Sequence, residues 1–249
     1  MNPQPSALRG RVALVTGASA GIGAAVARRL LELGMRVAVC ARRKDRLEAL
    51  RADGGELLAL ACDLRDEAQI LAMFRTLRET WGGVDVLVNN AGLGHLAPLC
   101  SGESDHWREM LEVNVLALSI CTREAVADMR RRGDDGHVLH VSSMASHRVP
   151  PDSGMYSATK YAVRALTEAL RQELRAQGSK IRVSALSPGF VETEFAAHYH
   201  KDPAAADRTY GRFKVLEAED VAWLVETILT APPHVQIHDL LVRPRDQQS

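Results

Sequence analysis

Aromatic side chains are scarce, with four Phe, four Tyr and three Trp in 249 residues. That is too few for the stacking platform of a single-strand nucleic-acid binder. Net charge is also missing, because 31 basic and 31 acidic residues cancel. No clustered positive excess therefore marks a nucleic-acid or anionic-membrane partner. No stretch approaches the 18 or so consecutive apolar residues of a membrane helix. The uncharged run from Val12 to Ala27 contains Thr16, Ser19 and three glycines, so it does not read as the apolar core of a signal peptide. Cysteine is limited to Cys40, Cys62, Cys100 and Cys121, with no C-x-x-C spacing. These read as free thiols of a reducing compartment, and a cytoplasmic protein is the expectation. The tight histidine pairs, His198 with His200 and His234 with His238, have no cysteine or carboxylate cluster beside them. No metal site is expected.

What is present is ordinary globular material, 46% apolar and 25% charged. The length suits one hydrophobic core, so a single domain over 1–249 is expected. Short apolar runs alternate with segments of helical period. Strands are expected at Arg11–Thr16, Met35–Cys40, Leu57–Cys62, Val84–Asn89, His137–Ser142, Ile181–Leu186 and Val235–Val242. Between them Ile22, Val26, Leu30 and Leu33 share one helix face, as do Ile70, Phe74, Leu77 and Trp81. A longer helical stretch, 104–132, carries a break near Asn114, and another helix runs from Tyr156 to Ala176. This alternation predicts an α/β fold of Rossmann type, a doubly wound parallel sheet with helices on both faces and strand order 3-2-1-4-5-6-7. Residues 1–8 and 245–249 read as frayed polar ends. The long irregular segment 188–216, with Pro188, Gly189 and Pro203, reads as a substrate lid.

The first strand runs into Thr16-Gly17-Ala18-Ser19-Ala20-Gly21-Ile22-Gly23. Glycines at such a turn let the backbone approach a diphosphate whose charge sits on the helix N-terminus. A left-handed turn packed against a sheet would also call for glycine. The same residues spell the G-x-S-x-G of a serine-hydrolase elbow. An elbow needs an upstream loop to supply half of the oxyanion hole, and only sixteen residues precede Gly17. At the end of the second strand, an acidic residue would select a ribose 2′-hydroxyl. Ala41, Arg42 and Arg43 stand there instead. Their guanidinium forks suit a phosphate monoester, so NADP(H) is expected over NAD. Tyr156 and Lys160, four residues apart, share a helix face. An ammonium beside a phenol, joined by an oxidised nicotinamide, would favour phenolate and prepare it for proton transfer. Ser142-Ser143 ends the fifth strand, where a hydroxyl could hold a substrate oxygen.

Together these residues resemble the short-chain dehydrogenase/reductase family over essentially the whole chain. The matching motifs are the glycine turn, Asn89-Asn90-Ala91-Gly92, Asn114-Val115, Ser143, Tyr156-Ser157-Ala158-Thr159-Lys160 and Pro188-Gly189. The resemblance implies Tyr156 as catalytic acid/base, Ser143 as carbonyl orienter, Lys160 as pKa modifier and ribose ligand, and Asn114 as part of a proton relay. It further implies cofactor contacts at Gly17, Ser19, Gly21, Ile22, Gly23, Arg42, Arg43, Asp63, Leu64, Asn90, Ala91 and Gly92. Pro188, Gly189, Val191 and Thr193 would fix the nicotinamide amide. Ala20 stands where many NADP-preferring members carry Lys or Arg, which leaves most of the phosphate discrimination to Arg42. Shared stretches such as Asn114–Glu124 and Val191–Phe195 resemble members with ketosteroid-, diketone- or farnesal-like substrates. A medium-sized hydrophobic ketone or aldehyde, or the matching alcohol, is the implied substrate, and a homodimer or homotetramer the implied assembly. A silent NADP-binding sensor with the same fold is the alternative. A binder alone would not need Ser143, Tyr156, Lys160 and Asn114 together.

Overall fold

The computed structural model describes residues 5–202, 204 and 209–248. Seven strands form one parallel sheet: β1 (Val12–Thr16), β2 (Arg36–Ala41), β3 (Leu57–Ala61), β4 (Val86–Asn89), β5 (His137–Val141), β6 (Arg182–Pro188) and β7 (Asp239–Val242). Their order is β3-β2-β1-β4-β5-β6-β7, so the direction of winding reverses between β1 and β4. Ligands of open α/β sheets bind beyond the carboxyl ends of the strands at such a reversal.

Alternation along each strand sends successive side chains to opposite faces. Ala13, Val15, Val37, Val39, Val86 and Val88 pack beneath α1 (Gly21–Glu32) and α8 (Ala218–Leu229). Val12, Leu14, Ala38, Cys40 and Leu87 face the opposite layer. That layer holds α3 (Glu67–Trp81), α5 (Leu118–Arg131) and α6 (Gly154–Ala176), which contribute Phe74, Ala125 and Leu174 to it. Helix α3 starts where the Asp66 carboxylate accepts from the Ala68 and Gln69 amides, and ends on Gly82 in the left-handed region, the usual pair of caps. Two shorter helices, α2 (Lys44–Ala49) and α4 (Ser104–Leu111), follow β2 and precede α5.

Four expectations change in detail. The break near Asn114 is a π-helical turn, Glu112–Ala117, which keeps α4 and α5 continuous; such widened turns gather at functional sites. The last strand covers only Asp239–Val242, because the Val183 amide meets the Gln236 side chain at 3.4 Å in place of a ladder carbonyl. The ends are not frayed where described: residues 5–8 form a 3-10 turn with Leu8 buried, and Gln247 is only 6% exposed. Segment 188–216 is less irregular than its composition suggests. It includes α7 (Phe195–His200), and its two ends are tied by Glu192 N to Leu216 O at 2.8 Å and Leu216 N to Phe190 O at 3.1 Å. Pro203 and residues 205–208 of it lie outside the described residues.

At the opposite end of the sheet, Asp85 joins three elements. Its carboxylate accepts from Val12 N at 2.8 Å and from Arg132 Nε at 2.8 Å and Nη2 at 3.0 Å. Burial pushes this carboxyl up, but Arg132 and the Val12 amide outweigh it and hold it below the usual range. A lowered folded pKa contributes stability above the unfolded value of about 4, which is lost as pH falls through the folded value. Asp85→Ala should cost about 2–3 kcal/mol, because it strands a buried amide and a guanidinium. Asp85→Asn should cost less. Urea unfolding at pH 7 checks both, as a lower midpoint at unchanged slope.

Candidate active site

The glycine turn is built by close approach. An ideal Cβ on Gly17 would lie 2.7 Å from Ala91 Cα, and one on Gly23 would lie 2.4 Å from Asn90 Nδ2. Gly17 has φ +67°, in the left-handed region that glycine adopts freely. Asn90 Nδ2 donates to Thr16 O at 2.9 Å and Gly17 O at 3.2 Å. Thr16 Oγ1 accepts from Asn90 N and Ala91 N, each at 3.0 Å. The turn and the loop after β4 are thereby one unit, with Ile22 opening α1 behind it. Bare backbone at a helix N-terminus is the surface a diphosphate needs, so the cradle fits a dinucleotide.

At the end of β2 both Arg42 and Arg43 are exposed. Arg43, rather than Arg42, reaches the glycine turn, donating from Nη2 to Ser19 Oγ at 3.0 Å. No acidic residue stands at the end of β2 itself, but the fold brings Glu194 to Arg43 from 151 residues away. Asp63 accepts from Arg65 Nη2 at 2.6 Å, and this pairing chiefly holds its carboxyl below the usual range. Leu64 packs against the core beside it.

The residues expected to move protons converge beyond β4 and β5. Ser143 follows β5, and its Oγ accepts from Ala145 N at 3.0 Å. Tyr156 lies in the first turn of α6, where the helix dipole favours negative charge. Lys160, one turn later, is buried, with Nζ 3.1 Å from Val141 O and 5.8 Å from the Tyr156 ring centroid. Asn114 is buried in the π turn. Its Nδ2 donates to Leu93 O at 2.8 Å and Thr159 Oγ1 at 3.0 Å, while its Oδ1 accepts from Leu93 N at 2.9 Å. Gly92 lies between the two groups, since an ideal Cβ there would be 3.4 Å from both Asn114 Oδ1 and Lys160 Nζ. Burial pushes the Tyr156 phenol up to about 12, and hydrogen bonding with Ser143 pulls the other way. Burial pulls Lys160 down to about 8. The protein's own groups therefore hold the phenol protonated, and Lys160 does not by itself bring it into the working range.

Segment 189–200 closes over these groups. Gly189 N donates to Val242 O at 2.7 Å, and Pro188 ends β6. Thr193 rests on the glycine turn, its Cγ2 3.0 Å from an ideal Cβ on Gly21, while Val191 is buried. Phe195 and Tyr199 pack on the Tyr156 ring at centroid distances of 5.5 and 6.1 Å. Near the same end of the sheet, His95 pairs with Glu109 at 2.8 Å and His147 sits 3.2 Å from Asp239. Among the described residues no group of three or more His, Cys, Asp or Glu could hold a metal.

Sequence reasoning missed Thr16, Gly94, Glu194 and Gln247. An ideal Cβ on Gly94 would meet Tyr199 at 2.7 Å, Phe195 at 2.9 Å and Tyr156 at 3.1 Å. Gln247 Oε1 accepts from Phe190 N at 3.0 Å. Thr16 and Gly94 stand within or beside motif residues and were within reach. Glu194 and Gln247 act through contacts that no local pattern records.

A family model for short chain dehydrogenase matches residues 11–204. The chain is 53% identical to dehydrogenase/reductase SDR family member 11 of Bos taurus, covering 96% of this chain and 98% of that protein. It is 41% identical to farnesol dehydrogenase of Aedes aegypti, over 94% and 96% of the two. Among solved structures, the closed form of serine dehydrogenase complexed with NADP+ aligns with TM-score 0.91 at 34% identity, over 96% of each chain. A Burkholderia phymatum short chain dehydrogenase/reductase in complex with NAD aligns with TM-score 0.85 at 30% identity, over 97% of this chain and 90% of that one. With the glycine cradle and the Ser143, Tyr156 and Lys160 cluster at one end of a Rossmann-type sheet, this chain belongs to the short-chain dehydrogenase/reductase family of nicotinamide-dependent oxidoreductases.

Proposed function

We propose that the protein is an NADP(H)-dependent reductase of medium-sized hydrophobic ketones or aldehydes, or a dehydrogenase of the matching secondary or allylic alcohols. The observation that carries this reading is the buried Lys160 beside the Tyr156 ring, under the aromatic lid of Phe195 and Tyr199. A nicotinamide supplies or accepts the hydride when bound. In reduction Ser143 holds the carbonyl oxygen and Tyr156 gives it the phenol proton. Lys160 then returns a proton to the phenolate, with Asn114 in the relay behind it. Phe195 and Tyr199 exclude water and favour an apolar substrate; the name of the farnesol dehydrogenase relative agrees with that class.

Diphosphate contacts fall to the turn from Gly17 to Gly23. The adenosine half falls to Ser19, Arg42, Arg43, Asp63 and Leu64, and the ribose and amide to Asn90–Gly92, Lys160, Pro188, Gly189, Val191 and Thr193. Arg43 on Ser19 supports a 2′-phosphate there, as does the NADP+ of the serine dehydrogenase structure. The assembly is a homodimer or homotetramer joined through α5 and α6. A groove of about 450 Å³ between these helices, lined by Leu118, Val126, Leu166 and Leu170 among others, supports that face. No described helix is long and apolar enough to cross a membrane. Free cysteines support a reducing, cytoplasmic setting.

Tyr156→Phe should lower kcat by about a hundredfold to ten-thousandfold and leave NADPH binding, followed by its fluorescence, nearly intact. Loss of binding would contradict the proton-transfer role. NADPH affinity of the free protein should fall above about pH 8, where Lys160 loses its proton. Lys160→Met should bind more weakly at every pH and lack that fall. Arg43→Ala should weaken NADPH about ten- to a hundredfold, the value of a charged hydrogen bond, and change NADH little. Arg42→Ala should act in the same direction, and equal losses for both cofactors would undo the phosphate assignment.

A further inference from the structure

The carboxylate of Glu194 reaches across from the lid to the arginines that follow β2. Its Oε2 accepts from Arg43 Nη2 at 3.3 Å, and its Oε1 accepts from Arg46 Nη1 at 2.8 Å. The same Arg43 Nη2 also donates to Ser19 Oγ at 3.0 Å. One guanidinium nitrogen is thus divided between a hydroxyl of the glycine turn and an anion of the lid. His198, one turn on in α7, lies 3.9 Å from the same carboxylate oxygen. Thr193, the preceding residue, rests against Gly21, so Glu194 is carried to this edge by backbone that already touches the cradle.

We propose that Glu194 tunes cofactor selectivity from the lid: its carboxylate competes with an adenosine 2′-phosphate for Arg43, and Arg46 relieves that competition by drawing the carboxylate to itself. The inference rests on the proposed NADP(H) site at Ser19 and Arg43. A phosphate monoester brought to those two residues meets a fixed negative charge bonded to the same guanidinium, and like charges at that range repel. A ribose 2′-hydroxyl carries no such charge and is indifferent to Glu194. Arg46 is then a positioning residue, since it acts on the phosphate only through Glu194. The carboxylate lies below the usual acid range, chiefly through Arg46, so it is charged throughout the neutral pH range.

The test is a set of dissociation constants for NADPH and NADH, read by cofactor fluorescence on the full chain without substrate. Glu194→Gln should tighten NADPH about three- to fivefold, the scale of partly exposed charge pairs, and leave NADH unchanged. Arg46→Ala should weaken NADPH by a similar factor with NADH unchanged, because the freed carboxylate turns fully onto Arg43. The double variant should recover at least the parent affinity. Raising salt should shrink each of these differences. If Glu194→Gln loosens both cofactors alike, the carboxylate only fastens the lid and the proposal falls. If the double variant stays as weak as Arg46→Ala, Arg46 binds the phosphate itself and the proposal also falls. A parent protein that binds NADH more tightly than NADPH overturns the NADP reading alone. The change in ratio on Glu194→Gln still decides the competition.

Discussion

The contact between the glycine turn and the loop after β4 is the constraint on which the rest of the site depends. Thr16 accepts two backbone amides through a single hydroxyl, and Asn90 returns two donations to the turn's own carbonyls. The loops on either side of the winding reversal are therefore fixed to each other before any ligand is considered. Because that contact is so tight, neither Gly17 nor Gly23 has room for a Cβ. The chain then continues to Gly92, where a third close approach admits Lys160 from α6 and Asn114 from the π turn. One loop, Asn90–Gly92, therefore borders both the cradle and the Lys160 and Asn114 side chains. Geometry held in this way costs little reorganisation when reactants arrive.

Burial acts on Tyr156 and Lys160 in opposite senses. It opposes phenolate and it opposes ammonium, so one group keeps its proton more firmly and the other less firmly. The result is a phenol that stays a donor at neutral pH beside an amine whose charge is only modestly retained. Such a pair suits delivery of a proton to a developing alkoxide followed by replacement from the lysine. The N-terminal position of Tyr156 on α6 and the hydrogen bond with Ser143 both oppose the burial effect. Both would favour phenolate in the proposed proton transfer.

Strand order, the helix faces and the convergence of Asn114, Tyr156 and Lys160 were legible because each is written in local spacing. Apolar runs, a glycine turn directly after the first strand and a four-residue Tyr–Lys interval all survive reading one segment at a time. Tertiary pairings were not legible. Glu194 and Arg43 are 151 residues apart and have no shared motif, so the cationic edge looked free of competing acid. Gln247 looked like part of a polar tail, although its amide oxygen takes the Phe190 amide and leaves no room for a side chain at Gly189. Helix α8 was overlooked for a different reason. Its start is marked by the reciprocal Glu217 and Asp220 cap, a signal present in the sequence but obscured by the composition of the segment before it. Among the arginines, adjacency to the strand pointed to Arg42, whereas the backbone direction entering α2 turns Arg43 toward Ser19.

One short segment touches every part of the site. Thr193 lies on the glycine turn, Glu194 on the arginines of the adenosine edge, and Phe195 with Tyr199 on the Tyr156 ring. Its flanks are secured at Leu216 and, through Phe190, at Gln247. Whatever strengthens or loosens the hold of Glu194 on Arg43 and Arg46 therefore acts on the same short segment that packs on the Tyr156 ring.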